Sequence, residues 1–469
     1  MLALIALIAS VGCTRKAEVG PKLTANIARV YTPANRESRF VLNAVPIEGS
    51  VKGKSYFDIS SDGRSALAWV DTVVYFVSEK GVDQLGTGIG DLGAEISYDG
   101  QIAFFVLDGK LNKYSLSTRS SEVIDENIEN VIQFAVSPKS ESYVITATYK
   151  DAPDVYVSKL YTAGGVTEIF ENRRVVVMTV SDDAGLFYYL DTSNGEFRVL
   201  VGGDDRLISN ACGAASNYNF TRDFSEVTYT TSDGANHFYR LSDGMNKQIG
   251  DDFGFTLKTE VYSISKVTTY DYINDIDSFL DGLFMLEHRQ DDNSKLYDVG
   301  YLDKNAEMTW LAKNAVDYKA LPDGSGVVWL LLGSLHLTDI TGKDRVLVSN
   351  ASDFAVAEDG TVYYVNDTDG LYAVKGNSTK RVDTGVGLMD AFGSVCVYIK
   401  DISNGAGTLY AYDGSRSVMA VENAVRIDAR HGHVLIYADP VGDDKKTTYT
   451  EYFSADGLTY TRFSDGVEP

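Results

Sequence analysis

Gly88-Ile89-Gly90-Asp91-Leu92-Gly93 has the glycine spacing of a dinucleotide-binding loop. That loop needs a strand before it and a helix after it, whose amino end receives the pyrophosphate. Here a strand pattern follows, ending at Ile96-Ser97, so the glycines read as a flexible link. His431-Gly432-His433 places two imidazoles where one strand face would share them. Zinc takes three or four ligands, no Cys or third His lies nearby, and Gly432 points to a turn, so the two read as solvated. Asp291-Asp292-Asn293 and Asn366-Asp367-Thr368-Asp369-Gly370 have the oxygen density of a calcium loop. The second has Val365 where an EF-type loop needs its first ligand. Both lie between strand patterns, where hairpin turns use the same residue types. His-Glu-x-x-His, Cys-x-x-Cys and Gly-x-Ser-x-Gly are all absent, which removes the best-marked routes to metal, redox and serine-hydrolase chemistry. Cys396, in Val395-Cys396-Val397-Tyr398, reads as a small buried strand residue, and Cys212 as a loop residue, both inert thiols. No catalytic, metal or cofactor-binding residue is assigned, and the expectation is a protein that is not an enzyme. The chain has 66 Asp and Glu, so many that sequence alone singles out no pair.

The elements that would have to position any such group repeat. "ISYDGQIAFF", residues 96–105, has a relative in "ISSDGRSALAW", from Ile59 to Trp69. In the first, Asp99-Gly100 reads as a two-residue hairpin turn, Gly supplying the positive φ. Gln101-Ile102-Ala103-Phe104-Phe105-Val106 is β-branched and aromatic, as a strand covered on both faces would be. Leu111-Asn112-Lys113-Tyr114-Ser115-Leu116 alternates apolar and polar, and Glu122-Val123-Ile124 closes the unit. The turn recurs as "SPKS" at 137, "SDDAG" at 181, "TRDFS" at 221, "FLDG" at 279, "LPDG" at 321 and "AEDG" at 357. Degenerate copies follow near Phe392-Gly393 and Arg430-His431-Gly432. Four short strands in about 40 residues leave apolar faces that only neighbouring units can cover, which is the pattern of propeller blades. The expectation is an all-β propeller of about ten four-stranded units, in two five-unit rings or one large ring.

The S-x-D-G turn, an aromatic-rich strand and then an L-Y strand resemble the TolB-type propeller repeat. The L-Y strand stands at Lys295-Leu296-Tyr297, Gly370-Leu371-Tyr372 and Thr408-Leu409-Tyr410. The resemblance spans most of residues 55–465 and implies a propeller used for binding or scaffolding, with no catalytic residue carried over. WD repeats fit less well, because no Trp-Asp closes a unit.

Composition sets further bounds. With 30 Tyr, 20 Phe, 42 Gly and 8 Pro, and no long helical-period stretch, the chain points to strands and tight turns. A net charge of -24 repels phosphate backbones and anionic headgroups, so nucleic acid is not an expected ligand. The acidity serves solubility, and in a sharper reading suits a basic partner.

Met1 to Cys13 reads "MLALIALIASVGC". It is too short to span a bilayer, which takes ~20 residues, and it suits the apolar part of an export signal. The Gly12-Cys13 pair resembles the bacterial lipoprotein signal, in which Cys13 would carry lipid. Two features depart from it: Ser10 stands three before the Cys, and no Lys or Arg precedes the run. The alternative is the end of a longer transmembrane anchor. Residues 1–13 are thus expected to be a signal or lipid anchor, and 14–54 a tether with a closing strand at Arg39-Phe40-Val41-Leu42. Units 1–5 are expected over 55–256, and an insertion followed by units 6–10 over 257–469.

The stretch from Phe253 to Ser278 breaks the period between the fifth and sixth units. Its Tyr262, Tyr270 and Tyr272 read as strand residues or as partner contacts. The combined expectation is a monomeric, membrane-anchored extracytoplasmic propeller that binds a protein or glycan partner. The rival is a surface hydrolase or lyase acting on glycans or peptides through channel carboxylates. Circular dichroism tests the fold class directly: the helical signal should stay well under about a quarter of the chain, below the globular average.

Overall fold

Runs of β-branched and aromatic residues, punctuated by Asp, Asn and Gly, form strands along the whole described chain, and no helix occurs among the described residues. The computed structural model describes residues 28–467, except 32–36, 43–44, 53–54, 61–63, 71, 89–93, 98, 138, 140, 214–217, 222, 251–254, 258–260, 263–281, 292–293, 304, 431–432 and 444–445. Seven of the sheets formed by the described residues have four antiparallel strands, and three others have three, five and seven. Six of those seven follow sequence order from one edge to the other, as propeller-like blades do.

Burial falls across each blade. In the sheet of residues 55–87, the second strand, Ser65–Val70, is buried throughout. In the sheet of residues 94–125, the third strand, Lys110–Ser115, alternates and the last, Ser120–Asp125, is largely exposed. The second strands are buried because a neighbour covers each face. From Ile102–Leu107, Ala103 and Phe105 pack with Leu67, Trp69, Val74 and Phe76 of the preceding sheet. Ile102 and Phe104 point the other way, into Ile128, Tyr143, Ile145 and Tyr161 of the next. The sheet of residues 175–209 repeats this. Phe187 and Tyr189 pack back on Val144 and Phe170, and Tyr188 and Leu190 pack forward on Phe220, Val227 and Tyr229. The period-2 alternation of a strand thus becomes a rule of assembly, with odd and even side chains serving different neighbours.

The repeated turn has a specific construction. Ile96 faces Ala103, and the Ser97 N–H donates to the Ile102 carbonyl at 2.9 Å. The loop therefore holds four residues, 98–101, and not the expected two. The Ser97 hydroxyl accepts the Ile102 N–H at 3.0 Å and donates to Asp99 Oδ1 at 2.8 Å. Asp99 Oδ1 also accepts the Gln101 N–H. A serine side chain thus completes a ladder that a two-residue turn would have closed with backbone alone. The same set recurs at Ser181, Asp183 and Leu186 and at Thr221, Asp223 and Glu226. At Leu321 the hydroxyl is missing, yet Asp323 still accepts the Ser325 N–H. Gly100 has φ +65°, and a Cβ there would lie 2.7 Å from the Ser60 Cβ. Glycine is needed both for that conformation and because this turn sits directly on the turn before it. Turns also bond forward: Ser142 Oγ donates to the Ser181 carbonyl at 2.6 Å, and the Tyr188 hydroxyl to the Phe224 carbonyl at 2.9 Å.

Carboxylates near the exposed edges clasp successive sheets. Asp83 accepts from Tyr114 and, through both oxygens, from the Arg119 guanidinium. Asp125 accepts from Tyr149 at 2.7 Å, Lys159 at 2.8 Å and Tyr161 at 3.0 Å, all on the next sheet. Asp383 accepts from Tyr398 and Lys400. Burial pushes the Asp125 carboxyl up, but the bonds from Lys159, Tyr149, the Glu126 N–H and Tyr161 outweigh it and hold it below the usual range. The depressed value means this clasp stabilises the fold above the unfolded carboxylate pKa and is lost as pH falls through the lower folded one.

Two regions extend the expected plan. Arg39–Leu42 lies within the strand Glu37–Leu42, which pairs with Ala28–Tyr31 and Val45–Lys52 in a separate three-stranded sheet. That sheet lies against the sheet of residues 55–87. The break in period lies where two sheets meet and contributes a strand to each. Phe255–Leu257 pairs with Gly282–Asp291 in one sheet, while Val261–Tyr262, between them in sequence, pairs with Tyr218–Thr221 of the preceding sheet.

Chemical denaturation should rank the parts of this design. Phe104→Ala should cost ~3 to 5 kcal/mol, as for large aromatic truncations in packed cores. Ser97→Ala leaves the buried Ile102 N–H without its acceptor and should cost ~1 to 3 kcal/mol. Asp99→Asn keeps the accepting Oδ1 and should change stability by no more than ~0.5 kcal/mol. An Asp99→Asn loss equal to that of Phe104→Ala would contradict this account of the turn.

Candidate functional site

The first strands of two successive four-stranded sheets, and the first and fourth strands of the seven-stranded sheet that follows, bring together charged residues that no neighbour in sequence predicts. Asp317 and Lys319 come from Asp317–Ala320, Asp353 from Ala351–Val356, Asp390 from Val386–Phe392 and Asp428 from Ser417–Arg430. The apolar residues of these strands turn toward the interfaces: Phe354 packs back on Val328 and Val362, and Val386 on Val365 and Leu371. Alternation then sends the intervening carboxylates away from the apolar contacts. Three of them are held in the same way. Asp317, Asp353 and Asp390 each accept the N–H of the following residue at 2.8 Å, which folds the carboxylate back along its own strand.

The electrostatics of the group are shared. Burial pushes the Asp390 carboxyl above the usual range. The Ala391 N–H and Lys319 pull it back, and Asp353 and Asp428 push it up again. Asp353 is raised for the same first reason, burial, with the Phe354 N–H and Lys319 opposing and Asp317 adding to it. Asp353 is exposed and Asp390 half-buried, so these are wetted carboxylates, Asp353 crowded by Asp317 and Asp390 by Asp353 and Asp428. Such a group can take a cationic side chain into a concentrated negative field, or hold a proton on one carboxyl beside an ionised neighbour, as acid–base pairs do.

Sequence reading did not single these residues out, although a signal existed. Asp317 precedes Asp323 of its turn by six positions, and Asp353 precedes Asp359 by the same six. Asp390 and Asp428 each stand two positions before the last paired residue of their hairpins, Phe392 and Arg430. Aligning the repeats on their turns would have put carboxylates on one strand face in successive units.

The residues that the sequence did single out fall elsewhere. Cys13, Tyr270 and Tyr272 lie outside the described residues. Tyr262 is a strand residue whose backbone pairs with Phe220. His433 begins a strand opposite Arg430, and 431–432 lie outside the described residues. Asn366 Oδ1 is taken up by the Thr368 N–H, the Thr368 hydroxyl and the Gly370 N–H, which is turn chemistry. Cys212 and Cys396 are buried free thiols in separate clusters, and burial pushes both thiols up. Among the described residues no helix is long and apolar enough to cross a membrane.

No protein-family profile and no curated protein matches the chain. Solved structures with some likeness include an oligogalacturonate lyase in complex with manganese. It has 12% identity and a TM-score of 0.37, over 68% of this chain and 95% of that one. A eukaryotic initiation factor has 10% identity and a TM-score of 0.41, over 89% and 96%. A putative TolB from Agrobacterium tumefaciens has 16% identity and a TM-score of 0.30, over 48% and 87%. Superpositions this weak, at such identities, carry no information about substrate or partner.

If burial holds Asp390 above the usual carboxyl range, its anion destabilises the fold at neutral pH, and that cost disappears once the group is protonated. Asp390→Asn keeps the acceptor for the Ala391 N–H and removes the charge. The urea midpoint should therefore rise at pH 7, and the gain over wild type should shrink toward about pH 4, where free carboxyls titrate. A lower midpoint at pH 7 would show that the anion is stabilising.

Proposed function

We propose that the protein is a non-enzymatic β-propeller, tethered to a membrane outside the cytoplasm, that binds or scaffolds a protein or glycan partner. In this reading about ten units form two five-unit rings or one large ring, whose first strands line the channel. The observation that carries it is the gathering of Asp317, Asp353, Asp390 and Asp428 from three consecutive sheets into one electrostatically coupled group, with Lys319 as their companion cation. The arrangement suits a basic segment of a partner, because four carboxylates on a rigid scaffold give a field that a Lys- or Arg-rich strand would neutralise. The raised Asp353 and Asp390 also favour a second reading: a hydrolase or lyase in which one carboxyl donates a proton and a neighbour stays ionised.

Binding of an oligolysine peptide to the intact protein tests the first reading. Asp353→Asn/Asp390→Asn should weaken it at least about tenfold, and rising salt should weaken it further. Asp151→Asn/Asp154→Asn, exposed on another sheet, should leave it unchanged. Equal losses in both variants would reduce the effect to net charge, and no binding at low salt would remove the reading. For the tether, Cys13→Ala should release the protein from the membrane fraction or leave it held by an uncleaved signal. Wild-type protein found in the cytoplasm with residues 1–12 intact and no lipid would overturn it.

A further inference from the structure

A second concave site lies well apart in sequence, where the sheet of residues 175–209 meets the sheet of residues 218–250. It is a cavity of about 550 Å3. One wall is a row of side chains directly opposite one another on three adjacent strands: Tyr229 faces His237, and His237 faces Gln248. The row runs from buried Tyr229 through half-buried His237 to exposed Gln248. Tyr229 and His237 stack at 5.1 Å with their planes 17° apart. Asn246 locks the inner end, accepting the Tyr229 hydroxyl at 2.9 Å and donating to the Ile208 carbonyl at 2.7 Å. The Thr231–Ala235 hairpin forms the other side, with Asp233 Oδ1 held by the Thr231 hydroxyl and the Ala235 N–H.

What remains open in this cavity defines a ligand. Tyr229, Asn246 and Thr231 are held by the protein, so they shape the site and leave recognition to others. Among the described residues the His237 ring nitrogens have no hydrogen-bond partner, and the ring lines the cavity. Burial pushes the imidazole below its ordinary pKa, with Asp233 opposing, so at neutral pH it offers one N–H donor and one nitrogen acceptor. Asp233 has its second oxygen left to accept. Ala211 and Ala235 keep the floor open without making an apolar hollow. The lining includes one carboxylate and no lysine or arginine, which rejects anions. It also lacks the apolar area that a lipid or a peptide side chain would need.

We propose that this cavity binds a neutral sugar, with one hydroxyl donating to Asp233 and an adjacent one exchanging hydrogen bonds with His237. Sites built to hydrogen-bond hydroxyls discriminate, because a ligand lacking them leaves the half-buried imidazole unpaired. A uronate is excluded by the Asp233 charge. The site shares no residue with the Asp317–Asp428 group, so it stands or falls independently of basic-segment binding.

Saturation-transfer NMR on the full chain with glucose, galactose, mannose and N-acetylglucosamine, against galacturonate, tests the inference. At least one neutral sugar should receive saturation and bind with a Kd on the order of 1 mM or tighter. Galacturonate should bind at least about tenfold more weakly. His237→Ala and Asp233→Asn should each weaken the neutral sugar about tenfold or more, the loss of one good hydrogen bond to a charged or buried group. Both variants should keep the wild-type circular dichroism spectrum and the wild-type affinity for oligolysine. No transfer to any neutral sugar would overturn the proposal, as would binding that survives both substitutions or galacturonate binding as tight as that of the neutral sugars.

Discussion

Second strands such as Ile102–Leu107 and Leu186–Asp191 have two wet faces until their neighbours arrive. Phe104 and Phe105 are adjacent in sequence and point into different sheets, and Phe187 and Tyr188 do the same. A four-stranded sheet with both faces apolar cannot stand alone in water, so each sheet depends on the one before and the one after. The rest of the construction serves this constraint. The hydroxyl–aspartate turns hold the start of each second strand in register, and glycine at Gly100 lets one turn rest on the last. Stability in such a chain is a sum of interface terms between neighbours, which is why the same residue types return at each interface.

The surplus of acid divides into two populations with opposite signs. Asp83, Asp125 and Asp383 lie near exposed edges, take bonds from Tyr, Lys or Arg of the adjoining sheet, and sit below the usual carboxyl range. Asp353 and Asp390 have no such clasp and are raised first by burial, and then by nearby carboxylates, Asp317 for Asp353 and Asp353 and Asp428 for Asp390. The first population strengthens the fold at neutral pH and the second weakens it. Groups that weaken a fold and are nonetheless built in the same way on successive strands are those for which a role other than stability is the economical account.

The sequence by itself determined the repeat. Gly100, Gly185 and Gly360 punctuate strands whose composition admits no helix, and four strands per unit follow from the alternation patterns alone. It also showed that the fold lacks familiar catalytic signatures, because those depend on spacing along one chain segment. The loop at Ser97 was misjudged by two residues because a side-chain hydroxyl can close a ladder that sequence patterns assign to backbone. Nothing local reveals that, in the break after Phe253, Phe255–Leu257 pairs with Gly282–Asp291 while Val261–Tyr262 pairs with the sheet before. Only the tertiary structure decided which carboxylates matter. Asp317, Asp353, Asp390 and Asp428 are far apart in sequence and resemble many other surface acids there. Their coupling exists because the arrangement of three consecutive sheets puts these strands near one another, and electrostatic energy depends on distance and dielectric, not on sequence separation. The same holds for His237, whose open nitrogens acquire meaning from the cavity that two sheets enclose.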